Sequence, residues 1–488
     1  MITRIKIDGF KSLIDTELYF GPFTCIAGAN AIGKSNFFDA LIFLSHLADN
    51  TILHAAKSVR SENQRHSNIK DIFFRSGNKY RREMSFEVDM IVPQEGEDDL
   101  GQRAAAKITS LKYVLELRLN EEANGREPIE IVREELRPNS LEQTRKNIFF
   151  DYKNEWLVSI LKGRRSGTPF ISTAEGVIKL HSDSSESKGK GKGGGRPAEF
   201  VAEKMPRTLL STVTAESPTA FLARQEMRNW MMLQFEPSAL RQPNFVYEVK
   251  NAEISANGLN LPATLYRLQA NKKERDIYQE LTNKLKGLVE DVKEITVDKD
   301  EKRDLLTLQL EFTGGLVLPA QSLSDGTLRF LGLAVIEEDS MASGLLCLEE
   351  PENGINPNKV EQMVELLKNM ATDTEYEVGE DNPLRQVIVN THSPIVVSAV
   401  PDESLYLAKS CEYYIPEFEK KIKGTGFSAL KDTWKTQNNL SPTTSISEIV
   451  AYLDKEYYMV NEPRPKYGKK KKTVAENLLQ FKFDLFDS

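Results

Sequence analysis

Residues 28–35 read GANAIGKS and satisfy G-x-x-x-x-G-K-[ST] at every fixed position. Nothing else in the chain restricts the fold as much, because this motif works only as a turn between a buried strand and a helix. Both flanks are present. FTCIAG (23–28) is an apolar run ending in glycine, and GKSNFFDALIFLSHLAD (33–49) crowds Phe38, Leu41, Ile42 and Leu44 on one side of a helix. In that setting the N–H groups of Asn30, Ala31, Ile32, Gly33 and Lys34 curl around a phosphate at a helix N-terminus, where the dipole favours anions. Gly28 and Gly33 permit backbone angles and close approach that a Cβ would hinder. Lys34 places a point charge on the β- and γ-phosphates, the Ser35 hydroxyl takes a Mg2+ position, and Asn36 completes the cradle. The expected ligands are ATP and Mg2+.

A second cluster stands almost three hundred residues later. GLLCLEEPENGINP (344–357) opens with an apolar strand and ends it in two carboxylates, Glu349 and Glu350. At the end of a buried strand beside a phosphate loop, the first can hold Mg2+ through water and the second can polarise an attacking water. SLSDGTLRFLGLA (322–334) opens a helix with Ser324, Asp325 and Gly326, again small residues at a helix start. RQVIVNTHSPIVV (385–397) is a further apolar strand, ending in Thr391 and His392, and His392 is a candidate γ-phosphate sensor.

The rest of the 488-residue chain sets the frame. With 64 Lys and Arg against 72 Asp and Glu, the formal charge of −8 excludes a generally basic nucleic-acid coat. Three cysteines are too few for a disulfide framework or a zinc site. No apolar run nears the ~20 residues of a membrane span, so no membrane partner and a cytoplasmic setting are expected. Residues 84–150 read as an antiparallel meander, clearest in LKYVLELRL, where Leu111, Tyr113, Leu115, Leu117 and Leu119 share a face. The acidic QEGEDD (94–99) reads as a loop, and the Gly/Ser/Lys segment 182–197 as a disordered one. Ile277, Leu281, Leu285, Leu288, Val292 and Ile295 recur at three- and four-residue spacing and predict one amphipathic helix over 264–295. Strands are expected at EITVD and LLTLQLEF, and short helices with loops over the last eighty residues.

Taken in order, GFKSL, GANAIGKSN, LSDGTLR, LEEPENGINP and NTHSP resemble the ABC-type ATPase superfamily, in its RecF, SMC and OLD branch. The resemblance covers roughly residues 1–150 and 300–410. It implies an α/β fold, an ABC-ATPase head with a P-loop core and an antiparallel β-subdomain. The corresponding division is a first lobe over 1–150, an irregular insertion over 151–300, a second lobe over 301–410 and an extension over 411–488. By resemblance 28–35 is the Walker A loop, 323–326 the signature, Glu350 the catalytic glutamate, 353–357 the D-loop and His392 the switch histidine. Glu349 departs from the family, which usually has Asp as the metal-supporting residue, and slow hydrolysis is the expected consequence. Gln64 is a weak candidate for the Q-loop glutamine.

In that family each nucleotide lies between one subunit's Walker motifs and another's signature, so Ser324, Asp325 and Gly326 would act in trans in a homodimer or a ring of dimers. Neither the acidic signature of a C-terminal Toprim nuclease nor the long coiled coil of an SMC protein is written in the chain. It looks like a freestanding head, similar to the ATPase components of anti-phage systems such as Septu PtuA and PARIS AriA. In those an effector, often a nuclease, is a separate chain. The competing expectations are a RecF-like repair ATPase that clamps DNA and a scaffold that keeps ATP as a structural ligand. Two basic stretches offer possible DNA contact. Between Lys57 and Arg82 eight Lys or Arg interleave with Phe73, Phe74 and Tyr80, and 188–207 is the second.

Overall fold

The computed structural model describes residues 1–59, 68–120, 128–163, 167–181, 198–271 and 275–451. Residues 182–197, Gln64 and the first half of the second basic stretch lie outside them. Three strands open the chain, β1 (Ile2–Asp8), β2 (Thr16–Tyr19) and β3 (Phe23–Ala27), followed by helix α1 (Lys34–Leu47). A run of strands comes next: β4 (Glu83–Ile91), β5 (Ser110–Leu119), β6 (Ile129–Pro138), β7 (Ile171–Ala174), β8 (Val177–Leu180) and β9 (Ala198–Val201). Short strand β10 (Met231–Leu233) precedes helices α2 (Leu261–Asn271) and α3 (Ile277–Lys286) and strands β11 (Val292–Asp300) and β12 (Leu305–Phe312). Helix α4 (Asp325–Glu338), β13 (Gly344–Glu349), α5 (Val360–Met370), β14 (Arg385–Thr391), β15 (Leu405–Ile415) and β16 (Lys420–Leu430) complete the frame.

The strands form two principal sheets. One is antiparallel throughout, in the order β9-β8-β7-β6-β5-β4-β1-β2. The other runs β10-β13-β14-β3-β15-β16 and is parallel from β10 to β15; β16 returns antiparallel and carries a two-residue strand, Thr443–Thr444, on its edge. Sequence explains the difference. Every residue of β3 and β14 is buried, which suits a parallel strand covered on both faces. In β5 the face bearing Leu111, Tyr113, Leu115, Leu117 and Leu119 is buried, and Lys112, Glu116 and Arg118 alternate with it toward solvent.

Helix α1 lies between the sheets. Its Phe43 stacks within 5.7 Å of Phe10 and 5.8 Å of Phe86, joining it to the antiparallel sheet. The same core includes Ile26, Cys347 and Ile388 from one face of the parallel sheet. On that sheet's other face Cys25, Leu346, Leu348, Val387 and Val389 pack against Leu328, Leu331 and Val335 of α4 and Val364 and Leu367 of α5. Alternate residues of each central strand therefore feed different cores. The architecture is α/β, a P-loop core with an antiparallel β-subdomain, and among the described residues no helix is long and apolar enough to cross a membrane.

Several expectations change. Residues 264–295 are not one helix: α2 ends at Asn271, the Asp276 side chain caps a new helix by accepting from the Gln279 N–H (3.2 Å), and Val292 and Ile295 lie in β11. Ile277, Leu281 and Leu285 do form one buried face, and the same spacing then continues by coincidence into a strand. The acidic 94–99 segment is half of a small hairpin, with Glu95–Glu97 paired to Arg103–Ala105. The stretch expected to hold short helices and loops contains β15 and β16, paired over Tyr406 to Ile415. Residue 410 falls inside β15, residue 300 ends a strand paired onto β12, and β10, from within 151–300, edges the parallel sheet.

Candidate functional site

The glycine-rich turn leaves β3 in the middle of the parallel sheet, so its loop opens at the sheet's C-terminal edge. This edge is where open α/β sheets bind ligands. Gly33 has φ 105° and caps α1, while Ala31, at φ 61°, also takes the left-handed region, at the loop's exposed crest. A Cβ on Gly28 would lie 2.8 Å from the Ala408 carbonyl oxygen of β15. Lys34 is buried, and its Nζ donates to the carbonyls of Gly28 (2.5 Å) and Ala29 (2.7 Å). Ser35 is exposed in the first turn of α1. Asn30, Ala31, Gly33, Lys34, Ser35 and Asn36 all line one cleft of about 740 Å³. The Ile32 side chain instead packs on the core, and the Asn36 amide donates to Ser12 Oγ (2.7 Å).

The opposite wall comes from β13 and β14. Glu349, the last residue of β13, accepts from the Asn390 amide of the neighbouring strand (3.2 Å). Glu350 turns out of the strand with φ 46°, a strained angle held by its N–H donating to the Asn390 carbonyl (2.9 Å). Its two carboxylate oxygens are separately engaged. One accepts from the Asn353 amide (2.9 Å), and the other sits 2.6 Å from His392 Nδ1. Thr391 Oγ1 donates to Glu352 (2.5 Å), and burial pushes the Glu352 carboxyl above its ordinary range. Glu349, Glu350, Asn353 and Asn390 share the cleft with Lys34 and Ser35, whereas His392 stands behind Glu350 rather than lining the cleft. Serine hydroxyl and carboxylate are oxygen donors, the set that suits Mg2+.

Ser324, Asp325 and Gly326 do not line the cleft of their own chain. Ser324 caps α4, its hydroxyl accepting from the Thr327 N–H (3.2 Å). Asp325 is paired with Arg241 at 2.6 Å, and the same nitrogen donates to the Leu323 carbonyl (2.8 Å). Gly326 faces the backbone of Gly354, where a Cβ would collide with the carbonyl.

Reading the sequence missed several neighbours. Gln234, Phe235 and Glu236 follow the apolar β10 and line the cleft, and Gln234 is the glutamine that lines it among the described residues, Gln64 lying outside them. A glutamine closing a short apolar run was the available signal. Arg329, one turn into α4, lines the cleft and donates to the Asn353 carbonyl (2.7 Å). In the first basic stretch Phe73 and Phe74 are buried, so they are not interleaved on the surface, and Arg81 is held by both carboxylate oxygens of Asp8 at 2.7 Å.

Residues 1–158 match the family model described as "AAA ATPase domain". Residues 212–398 match the one described as "AAA domain, putative AbiEii toxin, Type IV TA system". The first stretch carries the phosphate loop, and the second carries Gln234, Ser324, Glu349, Glu350 and His392. Both walls of the cleft thus lie in stretches that match AAA domains. No curated protein matches the chain. Among solved structures it is similar to an SmcHead bound to the C-winged helix domain of ScpA, at 13% identity over 88% of this chain and 98% of that one, with a TM-score of 0.43. The SMC head domain from Thermotoga maritima gives 12% identity over 88% and 99%, with a TM-score of 0.37. An Smc head domain with an extended coiled coil, bound to the C-terminal domain of ScpA derived from Pyrococcus furiosus, gives 13% over 90% and 99%, with a TM-score of 0.41.

Proposed function

We propose that this ATPase is the nucleotide-driven switch of a bacterial anti-phage defence system and controls an effector, a nuclease, supplied by another chain. The observation that carries the ATP chemistry is the single cleft that brings Lys34 and Ser35 against Glu349 and Glu350, with Glu350 aimed by Asn353 and His392. Lys34 and the loop N–H groups bind the β- and γ-phosphates. Ser35 and Glu349 would hold Mg2+, which would supply neutralisation of the phosphate charge. Glu350 orients and deprotonates the attacking water, and His392, bonded to it, fixes its direction. Slow turnover is expected, because Glu349 is a longer carboxylate than the Asp usual in the family.

Ser324, Asp325 and Gly326 complete the site of a second copy, so the working unit is a homodimer or a ring of dimers. Their absence from their own cleft supports this reading. A defence role draws support from the toxin–antitoxin description attached to the model that matches 212–398. Two experiments test the proposal. Size measured for Glu350→Gln with Mg-ATP is expected to double, and a monomer at micromolar concentration overturns the trans site. Gentle purification from the native host is expected to bring a stoichiometric second protein. Nucleic acid without a protein partner would instead favour a DNA-clamping repair ATPase.

A further inference from the structure

The phosphate loop is braced from outside by two hydroxyls that neither family model joins in one stretch. Thr425 of β16 is completely buried, and its Oγ1 donates to the Ile32 carbonyl at 2.8 Å, across 393 residues of chain. Ser12, from the turn after β1, lies 2.6 Å from that same oxygen, and the Asn36 amide donates to Ser12 Oγ at 2.7 Å. Thr425 has one hydroxyl hydrogen and gives it to Ile32, so Ser12 donates to Thr425 and Asn36 donates to Ser12. Hydrogen bonds then run one way, from Asn36 through Ser12 and Thr425 to the Ile32 carbonyl, with each hydroxyl both donating and accepting. The backbone is fixed in parallel, the Thr425 N–H donating to the Ser12 carbonyl at 2.9 Å.

Peptide planarity turns this brace into a functional device. In a trans peptide the carbonyl and the following N–H point in opposite directions. Anchoring the Ile32 carbonyl toward Thr425 therefore turns the Gly33 N–H away from Thr425, toward the phosphate side of the loop. Gly33 has a reason beyond its left-handed φ, since a Cβ there would collide with both Thr425 Oγ1 and Ser12 Oγ. We infer that Thr425 and Ser12 are positioning residues of the nucleotide site, which makes β16, outside both matched stretches, a working part of it. The inference rests on the reading of 28–35 as an ATP phosphate loop.

Calorimetric titration of the full chain with ATP and with ADP tests it. Thr425→Val keeps the shape and removes the hydroxyl, and is expected to weaken both nucleotides about tenfold, with the melting temperature of the nucleotide-free protein nearly unchanged. Thr425→Ser restores the hydroxyl and binds within about twofold of wild type. Ser12→Ala removes the donor to Thr425 and is expected to lose about threefold; it decides the matter if Thr425→Val fails to fold. Wild-type affinity in Thr425→Val, or in Ser12→Ala where that variant decides, overturns the brace. Lack of ATP binding by the wild-type chain overturns the phosphate-loop reading itself, a distinct result.

Discussion

The phosphate loop and the start of α4 are both glycine-bearing helix N-termini, yet the chain treats them in opposite ways. Beneath the phosphate loop the bracing polar groups, Lys34 and Thr425, are buried and bonded. Lys34 is tied to the Gly28 and Ala29 carbonyls, and Thr425 to the Ile32 carbonyl. At α4 the decisive pair is Arg241 with Asp325, and the Asp325 side chain is 55% exposed. A loop braced from beneath by buried bonds of its own chain keeps its shape without a partner. An exposed helix start with a surface ion pair is presented outward, and surface pairs of this kind are cheap to exchange for another partner. On the proposed trans reading, the contrast separates the half of the site that one copy owns from the half that it presents to another.

Four substitutions press on this contrast, ordered by expected effect. Glu350→Gln removes the base from the owned half; turnover should fall about a thousandfold while ATP still binds, as measured by phosphate release and calorimetry. Retained turnover would hand the base role to another carboxylate. Lys34→Ala takes a charge from the same half and should weaken ATP about a hundredfold in a titration of the single chain. Arg241→Ala acts on the presented half. Binding to one chain should stay within about twofold, whereas turnover drops about tenfold because Asp325 then meets the partner's phosphate unneutralised. Adding Asp325→Asn should recover most of that loss, and a variant pair that recovers nothing would mean Arg241 does something other than mask the carboxylate.

The smallest effect is a pH dependence. Burial raises the Glu352 carboxyl above the ordinary 4.5. A group raised in the folded state contributes stability that is fully present below its unfolded value and is lost as pH climbs through the folded one. The melting temperature of wild type relative to Glu352→Gln should therefore fall as pH rises from about 4.5, by a few degrees at most. A difference that grows with pH would contradict the raised carboxyl.

How much of this could be read from the chain alone follows from how far each residue's partners lie in sequence. The phosphate loop was legible because motif, strand and helix are contiguous, and the Glu349–Glu350 pair because a buried strand announces itself by composition. Asn390 was half legible, one residue ahead of the Thr391–His392 pair that drew notice. Thr425 and Ser12 were not, since their meaning is made by a contact across the whole chain. The helix expected over 264–295 failed at Val292 because three- and four-residue spacing does not distinguish a helix end from a strand whose β-branched residues fit the pleat. β15 and β16 were missed because their outer halves put Lys421, Lys423 and Tyr414 into solvent and break the apolar alternation.

Strand β3 has β14 and β15 as its neighbours, and the loop it carries is tied to residue 425. During synthesis the first half of the site therefore leaves the ribosome and waits for 393 further residues before its brace exists. At ordinary elongation rates that interval is roughly 20 to 80 s. Through that time β3 is an apolar segment without its sheet, a natural client for a chaperone. A nascent chain can close this nucleotide site only after residue 425 has emerged, so capture of ATP marks a copy whose core has been assembled.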